Sequence, residues 1–199
     1  MLYISFGKRS LDLTLSLIGL LLLSPLMIII IIFIKLDSKG PIVFKQRRIG
    51  VNKKEFEILK FRTMKIETPT NTPTHLLKNT DYYITNVGRI LRKSSLDELP
   101  QIVNILKGDM SIVGPRPALW NQSDLIEERD KVGANDILPG LTGWAQINGR
   151  DELPINIKSK LDGNYSKNIR FSFDIKIIFL TLFKVLKSDG VREGVSNAK

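Results

Sequence analysis

Residues 13–34 form an uncharged apolar run of 22 residues, and no other feature limits the possible folds of this chain as much. As a helix the run measures ~33 Å, against a bilayer hydrocarbon core of ~30 Å. It is read as a membrane segment. A cleaved signal peptide would have a shorter apolar core and a small-residue cleavage site, whereas Lys35-Leu36-Asp37-Ser38-Lys39 follows here, so the segment stays attached. Ser24-Pro25 lies in its middle. Proline removes one helical hydrogen bond and crowds the carbonyl four residues back, so a bend is expected there. Lys8 and Arg9 precede the run, and Lys35, Lys39, Lys45, Arg47 and Arg48 follow it. Positive charge at both ends favours keeping both in the cytoplasm. Residues 13–24 and 26–34 would make arms of ~18 and ~13 Å, each near half a bilayer, which suits a re-entrant hairpin. A single kinked transmembrane helix is the alternative that composition leaves open.

A second membrane-facing element is expected at residues 171–187, where Asp174 opens a segment rich in Phe, Ile and Leu. Lys176, Lys184 and Lys187 share one stripe at spacings of eight and three, the pattern of a helix lying in the headgroup plane. A core helix with a solvated lysine edge has the same pattern.

The rest reads as one α/β or α+β lobe. Residues 42–44 and 55–63 read as short strands around a Gly50-Val51-Asn52 turn. The apolar phase flips from Phe56 and Ile58 to Leu59 and Phe61, so a bulge or an irregular end is expected in the second strand. Residues 96–107 read as a helix, with Leu99, Ile102, Val103 and Leu106 at helical spacing and Gly108 as its stop. Ser95 and Glu98 fit a capping box that would place Asp97 in the first turn. Residues 121–131 read as a polar helix. Gly114-Pro115-Arg116-Pro117, Pro139-Gly140, Gly143-Trp144 and Gly149-Arg150 read as loops.

The residue inventory narrows the chemistry. There is no cysteine and one histidine. His75 follows the Thr/Pro/Asn stretch 68–74, a loop signal, and is read as a bystander, which leaves a carboxylate, hydroxyl or amine as nucleophile. Adjacent carboxylates at a helix N-terminus could bridge magnesium to substrate phosphates, though acidic first-turn residues also serve as plain helix stabilisers. Arg89, Arg92 and Lys93 precede the pair, and prolines hold Arg116 on both sides, arrangements suited to phosphate and equally found on solvated surfaces. Thirty Lys+Arg against twenty Asp+Glu give +10, which favours anionic partners. No RNA or DNA motif and no aromatic-basic interleaving is present, so no nucleic acid is expected. A membrane scaffold with Asp97-Glu98 as a mere helix cap is the non-enzymatic alternative.

Ser24-Pro25, Lys60-Phe61-Arg62-Thr63-Met64, Ser95-Leu96-Asp97-Glu98-Leu99-Pro100-Gln101, the run from Gly108 to Pro117 and Gly140-Leu141-Thr142-Gly143-Trp144-Ala145-Gln146 occur in this order. Together they resemble the bacterial sugar transferase family, and within it the small monotopic phosphoglycosyl transferases. Arg48-Ile49-Gly50 stands where relatives often carry Arg-Pro-Gly or Arg-Val-Gly. The resemblance implies a re-entrant anchor over residues 1–39, broken at Ser24 and Pro25. It also implies a mostly helical catalytic lobe over 40–199 with a short β-hairpin and interfacial amphipathic helices. Asp97 and Glu98 would be the catalytic, Mg2+-dependent dyad. Arg92, Arg116, Lys60, Arg62, Arg150 and Gln146 are the candidate phosphate and substrate contacts. The implied activity is ping-pong transfer of a sugar 1-phosphate from a UDP-sugar to polyprenol phosphate at the cytoplasmic face of the bacterial inner membrane, the first step of a cell-surface glycoconjugate. Which sugar is used, and the oligomeric state, are not legible.

Overall fold

The computed structural model describes residues 3–68, 80–149 and 153–187. His75, Arg150 and the 68–74 stretch beyond Thr68 lie outside the described residues. The described fold is mostly helical, with two small sheets and one long apolar helix near the N-terminus.

That helix, α1 (Lys8–Asp37), follows a π-helical turn (Tyr3–Gly7) and contains Pro25. Pro25 cannot donate to the carbonyl of Leu21, four residues back. The Ser24 hydroxyl donates to that carbonyl instead, at 2.9 Å. The pair thus repairs the bond that it breaks, and the helical backbone runs on where two separate helices were expected.

Both ends of α1 are fastened to the same lobe. At the N-terminal end, Lys8 Nζ donates to Asp174 at 2.8 Å and to the Val113 carbonyl at 2.9 Å. Arg9 donates to the carbonyls of Ile105 and Leu106, and buried Asp12 accepts from Ser111 Oγ and Ile112 N. At the other end Ile30 and Ile34 pack on Phe61 and Leu91, and Asp37 accepts from Val87 N. Between these ends Leu17, Ile18, Leu21, Leu22, Ile28 and Ile29 face outward.

The hairpin pairs β1 (Val43–Ile49) with β2 (Glu55–Phe61), antiparallel from Val43↔Phe61 to Ile49↔Glu55. The turn bears Asn52 and Lys53 at positive φ. The register is continuous and the expected bulge is absent. The phase flip has another cause, because β2 is covered on both faces near its end. Ile58 packs on Ile105 and Met110, whereas Phe61 on the opposite face meets Ile30 and Ile34 of α1. Lys60 shares the face of Ile58, by strand alternation.

The helix expected at 96–107 is divided. After α2 (Thr80–Tyr83), α3 (Asn86–Ser94) ends at Ser95 in the left-handed conformation, φ 57°. A 3-10 turn (Leu96–Glu98) and Pro100 then lead into α4 (Gln101–Lys107). Ser95 makes no side-chain cap, so there is no capping box. Asn104 of α4 binds the edge of β2, accepting from Leu59 N and donating to the Glu57 carbonyl.

Beside the turns read as loops, β3 (Ser111–Val113) pairs parallel with β4 (Gly140–Thr142), which takes in Gly140 of one of them. The crossing is tight: a Cβ on Gly140 would stand 2.1 Å from Gly114 N, so a side chain there would collide with backbone. The polar helix at 121–131 is present as α5 (Ser123–Asp130), followed after β4 by α6 (Trp144–Ile147), α7 (Ile155–Lys167) and α8 (Phe171–Lys187). α8 buries Asp174 and Ile177 and exposes Ile175, Phe179, Leu182 and Phe183.

Candidate active site

Two consecutive tight turns set the geometry. The left-handed Ser95 reverses the chain at the end of α3, and the 3-10 turn then places Asp97 and Glu98 beside the last turn of α3, which carries Arg92 and Lys93. Asp97 is buried at 8% exposure. Lys60 projects from β2 with Nζ 2.8 Å from Glu98 Oε1 and 3.9 Å from Asp97 Oδ2. Arg116 reaches the same Glu98 oxygen at 3.1 Å. Burial pushes the Asp97 carboxyl above the usual carboxylate range, Lys60 pulls it down, Glu98 pushes it up, and Arg92 and Arg116 pull it down. Desolvation outweighs these attractions, and the charged form of the carboxyl depends on its cationic neighbours rather than on water.

Arg116 is held through its backbone. Arg129, itself buried, donates to the Arg116 carbonyl at 2.9 Å and makes two bonds to buried Asp162. Arg48 donates to the Pro117 carbonyl, and Ile49 N to that of Ala118. The guanidinium therefore stands on a fixed segment between two prolines, with little ordering left to do on binding an anion.

Of the residues named from sequence, Asp97, Glu98, Lys60, Arg92 and Arg116 come together. Arg62 does not join them. It donates to the carbonyls of Ile34 and Ser38 and to Ser38 Oγ, closing the C-terminal end of α1, and is a structural residue. Strand alternation would put Lys60 and Arg62 on one face, but β2 ends at Phe61, so Arg62 is free of that geometry and turns to the end of α1 instead. Gln146 is buried, donates to the Leu141 carbonyl, and lines a cavity that Glu98 also borders. Arg150 lies outside the described residues. Asn104, Arg129 and Asp162 were not singled out from sequence, and no local pattern marks them, because each acts through a partner far along the chain.

The cavity, about 560 Å3, is walled by α4, β4, α8 and Leu23 of α1. Cations and carboxylates thus border an apolar space beside the long apolar helix. This is the layout of an enzyme that handles a phosphorylated group at a lipid surface. The chain belongs to the bacterial sugar transferase family, whose model matches residues 3–188.

Individual relatives agree with that assignment. The chain is 41% identical to the uncharacterized sugar transferase EpsL of Bacillus subtilis (strain 168), covering 94% of this chain and 90% of that one. It is 41% identical to the UDP-glucose:undecaprenyl-phosphate glucose-1-phosphate transferase of Escherichia coli (strain K12), over 89% of this chain and 39% of the relative. It is 36% identical to the UDP-N-acetylgalactosamine-undecaprenyl-phosphate N-acetylgalactosaminephosphotransferase of Aeromonas hydrophila, over 94% of this chain and 45% of the relative. The chain thus spans less than half of these two larger proteins, which act on different sugars by name.

Proposed function

We propose that this chain transfers a sugar 1-phosphate from a UDP-sugar to polyprenol phosphate, with Asp97 as nucleophile. The observation that carries the reading is the buried Asp97 carboxylate, 3.9 Å from Lys60 and adjacent to Glu98, between a cationic surface and an apolar cavity. In the first half-reaction an Asp97 oxygen attacks the β-phosphorus of the UDP-sugar. The bond from that phosphorus to the bridging oxygen breaks, and UMP leaves with the oxygen. In the second, a phosphate oxygen of the polyprenol phosphate attacks the same phosphorus. The bond to Asp97 breaks, the carboxylate returns, and polyprenol diphosphate sugar departs.

Lys60, Arg92 and Arg116 would spread the negative charge on the transferring group, the dominant contribution in phosphoryl transfer. Asp97 and Glu98 offer a hard, all-oxygen donor pair. Among the described residues no group of three or more His, Asp or Glu side chains could hold a metal. Magnesium suits such a pair, because it takes its remaining ligands from water and substrate phosphates. Bound there, it would supply further charge neutralisation to the phosphates.

The attachment of both ends of α1 to one lobe supports a helix that enters the membrane and returns, since a spanning helix would carry its ends to opposite sides. The basic flanks favour the cytoplasmic face of the bacterial inner membrane. The exposed apolar side of α8 suits a helix lying in the interface. The relatives named above support a lipid-linked sugar as product, and with it the start of a glycoconjugate.

Asp97→Asn keeps the shape and loses the nucleophilic charge. It is expected to abolish UMP formation in membranes supplied with UDP-sugar, magnesium and polyprenol phosphate, with folding intact. Glu98→Gln should turn over slowly, and a phosphosugar trapped on it should map to residue 97. Near-normal UMP release by Asp97→Asn, or an adduct at another residue, removes Asp97 from the mechanism.

A further inference from the structure

The cavity beside Glu98 is mostly apolar, and its walls come from elements far apart in sequence: Leu99 and Ile102 of α4, Leu141 of β4, Ile178 and Leu182 of α8, and Leu23 of α1. Two of those elements, α1 and α8, also carry the exposed apolar surface of the molecule, including Leu21, Leu22, Phe179 and Phe183. The cavity is therefore walled by the surfaces that face lipid. Its polar lining includes Glu98, Lys93 and Lys184, while Lys60 and Arg116 lie outside it. Gln146 adds a further polar atom: it is 8% exposed and lines the cavity, and its side-chain oxygen has no hydrogen-bond partner. A buried acceptor of this kind is completed by a donor such as water, not by a hydrocarbon chain or an anionic head.

These features fit one long apolar chain with an anionic head. A volume of about 560 Å3 falls within the ~300–1,000 Å3 of ordinary ligand sites. That suits a segment of one hydrocarbon chain, with the remainder passing out between α1 and α8 into the bilayer. Resting on the function proposed above, we infer that this cavity seats the first isoprene units of the polyprenyl phosphate acceptor, with Lys93 and Lys184 holding its phosphate beside Glu98. The donor uses the cations outside the cavity lining, Lys60 and Arg116, both of which contact Glu98. A ping-pong enzyme needs both substrates to reach one phosphorus in turn, and separate cations for each would serve that. Leu23, the wall residue from α1, immediately precedes Ser24-Pro25 in the continuous helix.

The wild-type protein in nanodiscs gives the first test, with a polyprenyl phosphate carrying a diazirine in its second isoprene unit. Label is expected on peptides containing residues 96–102 and 178–185, suppressed at least tenfold by excess polyprenyl phosphate and left in place by phosphatidylglycerol. Label confined to the outward face of α1 near Leu21 and Leu22 overturns the assignment. Equal competition by phosphatidylglycerol also overturns it, making the cavity a general lipid site. The second test separates the half-reactions. Ile178→Trp and Leu182→Trp fill the cavity, and Lys184→Glu reverses the charge at the phosphate. Each is expected to form the Asp97 adduct from UDP-sugar alone, with one UMP per chain, and to need at least tenfold more acceptor for transfer. Adduct formation with an unchanged acceptor requirement in all three overturns the site. A wild-type chain that forms no adduct without acceptor refutes the ping-pong reading instead, and the photolabel still decides the cavity.

Discussion

Arg129→Met tests how the site is supported from behind. The guanidinium and its partner Asp162 are 4% and 1% exposed at the side chain. Removing one member of a buried pair leaves the other charged and unpaired, at a cost of ~3–5 kcal/mol. For a chain of this size that lowers the melting temperature by roughly 10 °C. Burial pushes the Asp162 carboxyl above its usual range even though Arg129 pulls it down, so desolvation outweighs the attraction. It follows that Arg129→Met/Asp162→Leu should regain most of the lost stability. It should not regain activity, because the Arg116 carbonyl still lacks the 2.9 Å bond from Arg129 that fixes the phosphate-facing segment. We expect kcat about tenfold below wild type at a near-normal melting temperature, as a small misplacement of a charge-stabilising group commonly costs. Melting by intrinsic fluorescence in detergent, at one scan rate, and UMP release in the same preparation measure the two effects. A single variant melting within 2 °C of wild type, or a double variant no more stable than the single, would falsify the account.

Lys60→Met removes the largest of the charges that pull the Asp97 carboxyl down. With burial and Glu98 then less opposed, the carboxyl protonates at higher pH, so the acid limb of kcat/KM should move upward and neutral activity fall by about 10²-fold; an unmoved limb rejects the coupling. Arg62→Met should lower stability by about 2 kcal/mol, the scale of charged hydrogen bonds, and leave the KM for UDP-sugar unchanged; a raised KM would return Arg62 to the substrate site. For topology, Ser10→Cys and Lys39→Cys in the cysteine-free chain should both resist an impermeant thiol reagent in intact cells and both react once cells are opened. Labelling of Ser10→Cys alone from outside would show that α1 spans.

What the sequence revealed was governed by neighbours within a few residues. The apolar run, the hairpin, α5 and α8 follow from periodicity and turn residues, and Asp97 and Glu98 from a motif. The errors came where a distant partner overrode a local pattern. Ser95 and Glu98 have the spacing of a capping box, but Glu98 is held by Lys60 and Arg116, 38 and 18 residues away. Freed from that role, Ser95 adopts the left-handed turn that ends α3. The phase flip in β2 was read as a bulge because one covered face was assumed, and α1 covers the second. The three-residue strands β3 and β4 are too short to show a period, and Gly114 and Gly140 mark a backbone crossing that looks like a loop in the sequence.

The basic residues before the apolar run show most plainly what local reading leaves out. Lys8 and Arg9 count in the sequence as flanking charges that hold the N-terminus in the cytoplasm. In the structure Lys8 is bound to Asp174 and to the Tyr165 hydroxyl, and Tyr3 adds its own hydroxyl to Asp174 at 2.6 Å. Arg9 satisfies carbonyls at the C-terminal end of α4, where a cation meets the negative end of the helix dipole. To carry this end across a bilayer would mean breaking a buried ion pair and exposing Asp12, Asp174 and several carbonyls without partners. In the re-entrant reading proposed above, that cost adds to the bias from the two flanking charges. The polar contacts at the start of α1 fasten to the lobe the same helix that brings Leu23 to the wall of the cavity beside Glu98.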